Sequence, residues 1–459
     1  MASFYVENFG CRATQADGAA IERQFEERGL ARAAAPAQSE IVVLNTCTVT
    51  AAADQDARAA IRRIRRENPG CQIVVTGCYA QRAPEEVAAL PGVSRVIGNS
   101  HKHRLAEILV PSRGDDAVTI IESHPGFVPL SSLTAEARSE IYVSDIFAHT
   151  ELLAAPVFDG AGPGSNNERT RPNLKVQDGC DNRCSFCVIP YVRGQSRSLP
   201  LEEIVDEVNA LVQSGYREVV ISGINLGRWG RDFDKPLRFE DVVHEILDRT
   251  NLEKLRISSV EPMDWSDELI DMMAHSSRIA KHAHVPLQSG SDRVLRGMHR
   301  KYRPWHYRKK LEKIRAAMPM AAIGADVMVG FPGESEADFE ETRRLIEEMP
   351  FTYLHVFTYS SRPGTPAADL RDQVPVQTAR GRNRILRDLA AEKKLAFMRG
   401  FVGKTVEAIT LNVSDGKSTE ALTDNYLKVR LWGQHDANQW LKARVEQVEA
   451  GALRANLSA

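Results

Sequence analysis

The residues of this chain best suited to chemistry are three thiols in one short run, Cys180-Asp-Asn-Arg-Cys184-Ser-Phe-Cys187. Thiolates are soft ligands and suit zinc or the iron of iron–sulfur clusters. A structural zinc site wants four ligands and usually draws them as cysteine pairs. Here the triplet is compact, and no fourth Cys or His follows closely. A cubane iron–sulfur cluster held by three cysteines keeps one iron open, and an open iron can bind a substrate or cofactor. The plainer alternatives are a structural zinc knuckle and an incidental surface cluster.

The elements that must carry reactive residues point to a second trio. Phe4-Tyr-Val-Glu-Asn-Phe9 reads as a strand and runs into Gly10-Cys11. Residues 15–29 carry a helical pattern ending at Gly29. Ile41-Val-Val-Leu44 is a short buried strand before Asn45-Thr-Cys47, and residues 52–67 form a basic amphipathic helix closed by Asn68-Pro69-Gly70. Ile73-Val-Val-Thr76 then leads into Gly77-Cys78, and Arg95-Val-Ile-Gly98 precedes a helix near 101–110. Strands alternating with helices imply a parallel sheet. Cys11, Cys47 and Cys78 each lie just past the C-terminal end of a strand, and in a parallel sheet those ends share the edge where ligands bind. The alternative is that free Cys is often a small buried hydrophobe. Cys71 precedes its strand and reads as an ordinary thiol.

These motifs carry a resemblance. The Cys180/Cys184/Cys187 spacing, with aromatic Phe186 before the last thiol, resembles the signature of the radical S-adenosylmethionine (radical SAM) superfamily. Phe9-Gly-Cys11, Asn45-Thr-Cys-Thr-Val-Thr50 and Gly77-Cys-Tyr-Ala-Gln81 resemble the N-terminal domain of the radical SAM methylthiotransferases. That resemblance implies a second [4Fe-4S] cluster on Cys11, Cys47 and Cys78. The chain departs from the family pattern at Thr14, where Asn is usual, which alters a hydrogen bond but removes no ligand.

Past Asn173 the alternation resumes, with strands read at 174–177, 218–222, 254–258, 282–286, 325–329 and 353–357 and helical patterns at 202–214, 266–274 and 336–348. Six β/α units make a partial parallel barrel, and chemistry in such barrels sits at the C-terminal strand ends. The Cys180 triplet follows the first strand, Ser222-Gly223-Ile-Asn225 the second, Glu261 the third and Gln288-Ser289-Gly290-Ser291 the fourth, while Asp326 lies in the fifth. By resemblance, Phe186, Ser222, Gly223, Glu261, Gln288, Ser289 and Asp326 hold S-adenosylmethionine. Taken singly, a Gly after a strand is more often a turn, a carboxylate more often a cap, and Phe186 as readily core filling. His282 and His284 read as core or rim histidines. Val285-Pro-Leu-Gln-Ser-Gly-Ser-Asp-Arg-Val-Leu, Asp326-Val-Met-Val-Gly-Phe-Pro-Gly-Glu334 and Phe357-Thr-Tyr-Ser-Ser-Arg-Pro-Gly-Thr-Pro366 extend the resemblance.

The run Met298-His-Arg-Lys-Tyr-Arg-Pro-Trp-His-Tyr-Arg-Lys-Lys310 is basic with interleaved aromatics, a composition that suits phosphate contacts and stacking on unpaired bases. Arg300, Lys301 and Arg303 are its candidate nucleic-acid contacts; the alternative is a solvated helix face. A charged helix spans 376–399, and after Gly400 the pattern turns to β at 405–410, 426–431 and 442–446. A small β module in this position resembles the TRAM domain, which is associated with RNA binding, and small barrels can bind oligonucleotides.

A chain of 459 residues exceeds one ordinary core, so several domains are expected. The expected α/β architecture is an N-terminal parallel α/β sandwich over 1–112, a linker over 113–168 rich in turn-formers at Asp159–Glu168, a partial (β/α)6 radical SAM barrel over 169–399 and a TRAM-like β-barrel over 400–459. The net charge of -2 gives no global field for nucleic acid, so any such contact must be a local patch. Seven cysteines without a disulfide-like spacing imply reduced thiols and the cytoplasm. No signal peptide and no membrane span are expected.

The resemblance implies reductive cleavage of S-adenosylmethionine to a 5′-deoxyadenosyl radical at the Cys180 trio, sulfur carried at the Cys11 trio, and a methyl group from a second S-adenosylmethionine. Gly223-Ile-Asn-Leu-Gly227 and Thr423-Asp-Asn-Tyr-Leu-Lys-Val429 resemble the subgroup that methylthiolates C2 of N6-threonylcarbamoyladenosine beside the tRNA anticodon. Other subgroups act on isopentenyladenosine in tRNA or on an Asp of a ribosomal protein. The implied partners are the tRNA anticodon stem-loop, a flavodoxin- or ferredoxin-like electron donor and a sulfur donor. Two further function classes fit the cysteines: a two-cluster electron-transfer protein and a zinc-stabilised RNA-binding module.

Overall fold

The computed structural model describes residues 2–110, 139–153 and 170–458, which form two compact units, Met1–Ala155 with Val188–Gln195, and Pro156–Cys187 with Ser196–Ala459. The first is built on a parallel sheet of strands β1 (Ser3–Asn8), β2 (Ala31–Arg32), β3 (Ile41–Thr46), β4 (Gln72–Gly77), β5 (Val93–Gly98) and β6 (Glu140–Tyr142), in the order β2-β1-β3-β4-β5-β6. Strand β3 is buried at every position because both sheet faces are covered. Val42, Leu44, Ile73 and Val75 pack against Ala57, Ile61 and Ile64 of helix Ala51–Glu67. Val43, Val74, Phe4 and Val6 pack on the other side with Ile21 and Phe25 of helix Arg12–Glu27. Helix Ala51–Glu67 starts where the Thr50 side chain accepts from the Ala53 amide, 3.3 Å away, which satisfies one orphan donor of the first turn.

Two boundaries differ from those expected. Glu140–Tyr142, inside the expected linker, is the sixth strand of this sheet and pairs in parallel with β5. A three-residue edge strand is too short to show periodicity. Ser139 anchors it by donating to the Ala88 and Val93 carbonyls at 2.9 and 2.8 Å. Val188–Gln195, expected in the barrel, belongs to this first unit and forms the short helix Ile189–Arg193. The turn-rich Asp159–Glu168 stretch lies outside the described residues.

The second unit holds the expected partial barrel. Its strands are β7 (Asn173–Asp178), the short antiparallel β8 (Arg197–Ser198), β9 (Glu218–Gly223), β10 (Lys254–Ile257), β11 (His282–His284), β12 (Ala322–Val329) and β13 (Tyr353–Thr358). Hydrogen bonding divides them into β10-β9-β7-β8 and β11-β12-β13, joined by parallel bridges Leu255↔Ile279 and Ser259↔His284. Helix Leu201–Gln213 covers the outside with Ile204, Val205, Val208 and Leu211, a helical stripe. Helix Glu336–Glu348 opens on a capping box of Ser335 and Asp338.

The C-terminal module is a closed five-stranded barrel of β14 (Thr405–Ser414), β15 (Ser418–Thr423), β16 (Lys428–Trp432), β17 (Trp440–Glu449) and β18 (Ala452–Leu457). Strands β15 and β18 were not legible in the sequence; their inward positions are small or isolated residues such as Ala421 and Ala455. The module seats on the N-terminal ends of the barrel strands. Arg256 of β10, fully buried, pairs with Glu218 of β9 at 2.6 Å and donates to the carbonyls of Asp424 (2.8 Å) and Thr423 (3.2 Å). Asn425 reaches the Met320 carbonyl at 3.0 Å, and Asn438 the Gly215 carbonyl at 2.7 Å. Burial opposes ionisation of Glu218, but Arg256 and Arg171 hold its carboxyl below the usual range.

Glu218→Ala strands the Arg256 charge in the core, and breaking a buried pair in this way costs about 3–5 kcal/mol. Urea unfolding of the full chain is expected to show that loss, and limited proteolysis to release the C-terminal barrel earlier than in the parent chain.

Candidate functional site

Register decides where the first trio of cysteines lies. Asn8 pairs with Asn45, Asn45 with Thr76, and Gly77 with Gly98, so β1, β3, β4 and β5 end level. Cys47 follows β3 directly, and Cys78 opens the turn after β4. Gly10, at φ +96°, brings the loop after β1 against Cys47: a Cβ on Gly10 would stand 2.6 Å from the Cys47 Cβ and 2.9 Å from its Sγ. Cys47 and Cys78 are buried and Cys11 is exposed. Burial, then the neighbouring Cys78, pushes the Cys47 thiol up to about 12, and Cys11 adds to the shift. Any metal taken up here must displace that proton. Among the described residues no three His, Cys, Asp or Glu donors converge on one metal ion. A cubane spreads its thiolates over separate irons, so it asks for a wider spacing than a single ion does.

Buried charge borders this trio. Asp17 accepts from Lys102 Nζ at 2.9 Å and from Arg193 Nη2 at 3.0 Å, and the three side chains are nearly inaccessible. Lys102 also reaches Asn45 Oδ1 at 3.2 Å. Asn99 donates to Cys78 Sγ at 3.6 Å and to the Val192 carbonyl at 2.6 Å. Thr14, the departure from the family pattern, approaches Cys11 Sγ at 3.6 Å through its hydroxyl, while its carbonyl accepts from Asn45 at 2.7 Å. Asp17, Asn99, Lys102 and Arg193 are absent from the sequence-derived candidates. No local motif marks them, since each comes from a different turn or helix.

The second trio lies past the end of β7. Arg300 Nη1 donates to Cys184 Sγ at 3.2 Å and its other terminal nitrogen to Glu261. Asn225 Nδ2 points to Cys180 Sγ at 3.7 Å, and the Cys187 amide donates to the Cys184 carbonyl at 3.0 Å. Burial pushes the Cys180 thiol up to about 11 against the Asn182 amide, with Cys184 adding to the rise. A cavity of about 20 Å³ opens here, lined by Cys184, Glu261, Asp264, Lys301 and Tyr302. A larger cavity of about 410 Å³ lies away from the cysteines, where Tyr353, Arg387 and Tyr426 are among its walls.

The remaining candidates divide. Ser222 Oγ and Asn225 Oδ1, on either side of Gly223, are buried without a hydrogen-bond partner, the condition of polar atoms awaiting a ligand. Gly223 is needed for packing, because a Cβ there would stand 2.9 Å from the Gln177 side chain. Gln288 has φ +62°, and its backbone bridges Asp326 and Met328 at 2.8 Å each. Asp326 lies 3.4 Å from His284. Ser289 is spent on Thr342, 3.2 Å away, and on the Ser291 amide, so its hydroxyl holds a turn. Phe186, half-buried, packs with Val294, Met298 and Phe331.

The basic patch is corrected at its centre. Arg300 is buried against Cys184 and Glu261 and is not a surface contact for nucleic acid. Sequence composition could not separate it from its neighbours. Arg303 is half-buried, paired with Asp292 at 3.1 Å and bonded to the Arg300 carbonyl; Lys301 and Trp305 are exposed. His282 bonds Tyr353 at 2.6 Å and packs with half-buried Tyr353 and Tyr426. Thr423–Leu427, part of the subgroup motif, forms a turn at the seat of the C-terminal barrel, with Thr423 Oγ1 bonded to Asn425 at 2.6 Å.

Comparison with known proteins supplies context for this geometry. The Radical SAM superfamily matches residues 174–346, and Uncharacterized protein family UPF0004 matches residues 3–98. A threonylcarbamoyladenosine tRNA methylthiotransferase of Bacillus subtilis is 35% identical over 95% of this chain and 92% of its own length. A tRNA-2-methylthio-N(6)-dimethylallyladenosine synthase of Syntrophotalea carbinolica is 34% identical over 82% of this chain and 80% of its own. The radical S-adenosylmethionine methyltransferase TsrM of Kitasatospora setae shares the fold, with a TM-score of 0.57 at 16% identity over 80% of this chain and 77% of its own.

Gly10→Ala tests the approach to Cys47. Left-handed backbone alone costs an L-residue about 1–2 kcal/mol. Gly29→Ala, at φ +78° with nothing within 4 Å, carries that cost alone. Gly10→Ala is expected to add steric displacement of Cys47, measured as faster thiol labelling of Cys47 in the metal-free chain and a lower urea midpoint than Gly29→Ala. Equal labelling in both variants would show that the loop does not hold the cysteine.

Proposed function

This chain belongs to the radical SAM methylthiotransferases, and we propose that it adds a methylthio group to C2 of N6-threonylcarbamoyladenosine beside the tRNA anticodon. The observation that carries this is the near end-to-end alignment with a relative named for that substrate. The motifs Gly223–Gly227 and Thr423–Val429 point the same way. Its substrate is tRNA. Its cofactors are S-adenosylmethionine and a [4Fe-4S] cluster, which the exposed-iron chemistry of the Cys180, Cys184 and Cys187 trio fits. A second cluster belongs on Cys11, Cys47 and Cys78. An electron donor and a sulfur donor complete the cycle, and the cytoplasm is where reduced thiols and tRNA coexist. Among the described residues no helix is long and apolar enough to cross a membrane.

When bound, the cofactors supply a carbon-centred radical able to take hydrogen from an unactivated C–H bond. The chain's own residues hold and shield them. Arg300 and Asn225 donate to the Sγ atoms of Cys184 and Cys180, and on a bound cluster such hydrogen bonds would tune its potential. Glu261 keeps the Arg300 guanidinium in place from inside the fold. Ser222 and Asn225 offer unpaired polar atoms to S-adenosylmethionine at the end of β9. Lys301, at the rim of the small cavity, is the exposed cation best placed for a phosphate.

A second reading, methylthiolation of isopentenyladenosine, is favoured by the relative named for the dimethylallyl substrate. Mass spectrometry of tRNA nucleosides from a deletion strain decides between them. Loss of the methylthiolated threonylcarbamoyladenosine is expected; an unchanged level rejects the proposal, and loss of the isopentenyl product in its place supports the second reading. In purified protein, Cys184→Ala is expected to make no 5′-deoxyadenosine. Cys47→Ala is expected to keep making it while yielding no methylthiolated tRNA, and full product from Cys47→Ala would remove sulfur chemistry from the first trio.

A further inference from the structure

The first unit buries more positive than negative charge among three side chains beside its cysteines. Lys102 and Arg193, 3% and 2% exposed, both pair with the carboxylate of Asp17, itself 1% exposed. Burying ions is expensive, and a pair held only for stability could be replaced by apolar residues at little cost. A third charge in a buried pair is harder still to explain by packing. The placement suggests a reason. Asp17 lies on the helix that begins straight after Cys11, and Lys102 in the turn past β5, beside the strand that delivers Cys78. Arg193 ends the short helix Ile189–Arg193, whose Val192 carbonyl is tied to Asn99, which also donates to Cys78 Sγ. Val188 and Val192 of the same helix pack on Cys78. Arg193 lies within electrostatic reach of Cys47, and Lys102 of Cys78.

We infer that Lys102, Arg193 and Asp17 are positioning residues for the iron–sulfur cluster proposed on Cys11, Cys47 and Cys78. The positive charges of Lys102 and Arg193 offset the thiolates and raise that centre's reduction potential. The inference rests on the proposal of a second cluster. Its physical content is a sign. A nearby cation favours the more negative, reduced state of a cluster, and net charge around the cluster is one of the levers that set potential. Taking away the Lys102 charge must therefore move the potential down. Taking away the Asp17 charge must move it up, although both changes break the same ion pair. A purely structural role predicts no such opposition.

The test uses the full chain with Cys180, Cys184 and Cys187 all changed to Ala, so that only the first trio can hold iron. The protein is reconstituted anaerobically with iron and sulfide, and its cluster is titrated with reductant while followed by electron paramagnetic resonance. Lys102→Met or, if that variant folds poorly by circular dichroism, Lys102→Gln is expected to lower the midpoint potential. Asp17→Asn is expected to raise it, and Arg193→Lys, which keeps the charge, to leave it near the parent value. Iron bound with the same potential in the Lys102 and Asp17 variants, or with shifts of the same sign, overturns this inference alone. A parent triple-Ala chain that binds no iron overturns the second cluster and this inference with it.

Discussion

Parallel strands that end level place whatever follows them on one edge, and most of the chemistry of this protein depends on that constraint. In the first unit the shared edge gathers cysteines that are dozens of residues apart in sequence. A one-residue slip of β3 against β4 would exchange the side chains of its two buried faces and move Cys47 with them. Packing of its two faces against different helices accompanies the observed register Asn45↔Thr76 and Thr46↔Gly77. Core packing and site geometry are therefore one constraint, enforced by the two apolar layers on either side of the sheet.

The second unit applies the same rule to a curved sheet. Its cysteines are local in sequence, so the strand ends supply their surroundings: Asn225 after β9, Glu261 after β10, and Arg300 from the turn beyond helix Asp292–Gly297. At the opposite strand ends, Glu218 and Arg256 form a fully buried pair that receives the carbonyls of the β15–β16 turn. One end of the barrel is thus left for chemistry and the other is closed by the C-terminal module. The subgroup motif around Asn425 lies at that closed end, where it shapes a joint.

Charge inside the molecule follows a consistent pattern. The buried cations near the cysteine trios pair with carboxylates: Arg300 with Glu261, and both Lys102 and Arg193 with Asp17. Arg300, held by Glu261, also presents a donor to Cys184 Sγ. Such an arrangement is costly in a protein core.

The position of the cysteines just past strand ends, the alternation of strands and helices and the half-barrel were legible in the sequence, because residue type and the two hydrophobic periods are local properties of the chain. The strands at 140–142, 418–423 and 452–457 were not legible, since short or small-residue strands owe their existence to the neighbour they pair with. The same limit explains Arg300. In sequence it is one cation among several; in the fold it is the one whose side chain meets Cys184 from the inside. Which unit claims Val188–Gln195, and which charges border Cys47 and Cys78, were likewise decided only in three dimensions. A sequence records periodicity and residue type, but a contact between positions 17, 102 and 193 exists only once the sheet has brought its ends together.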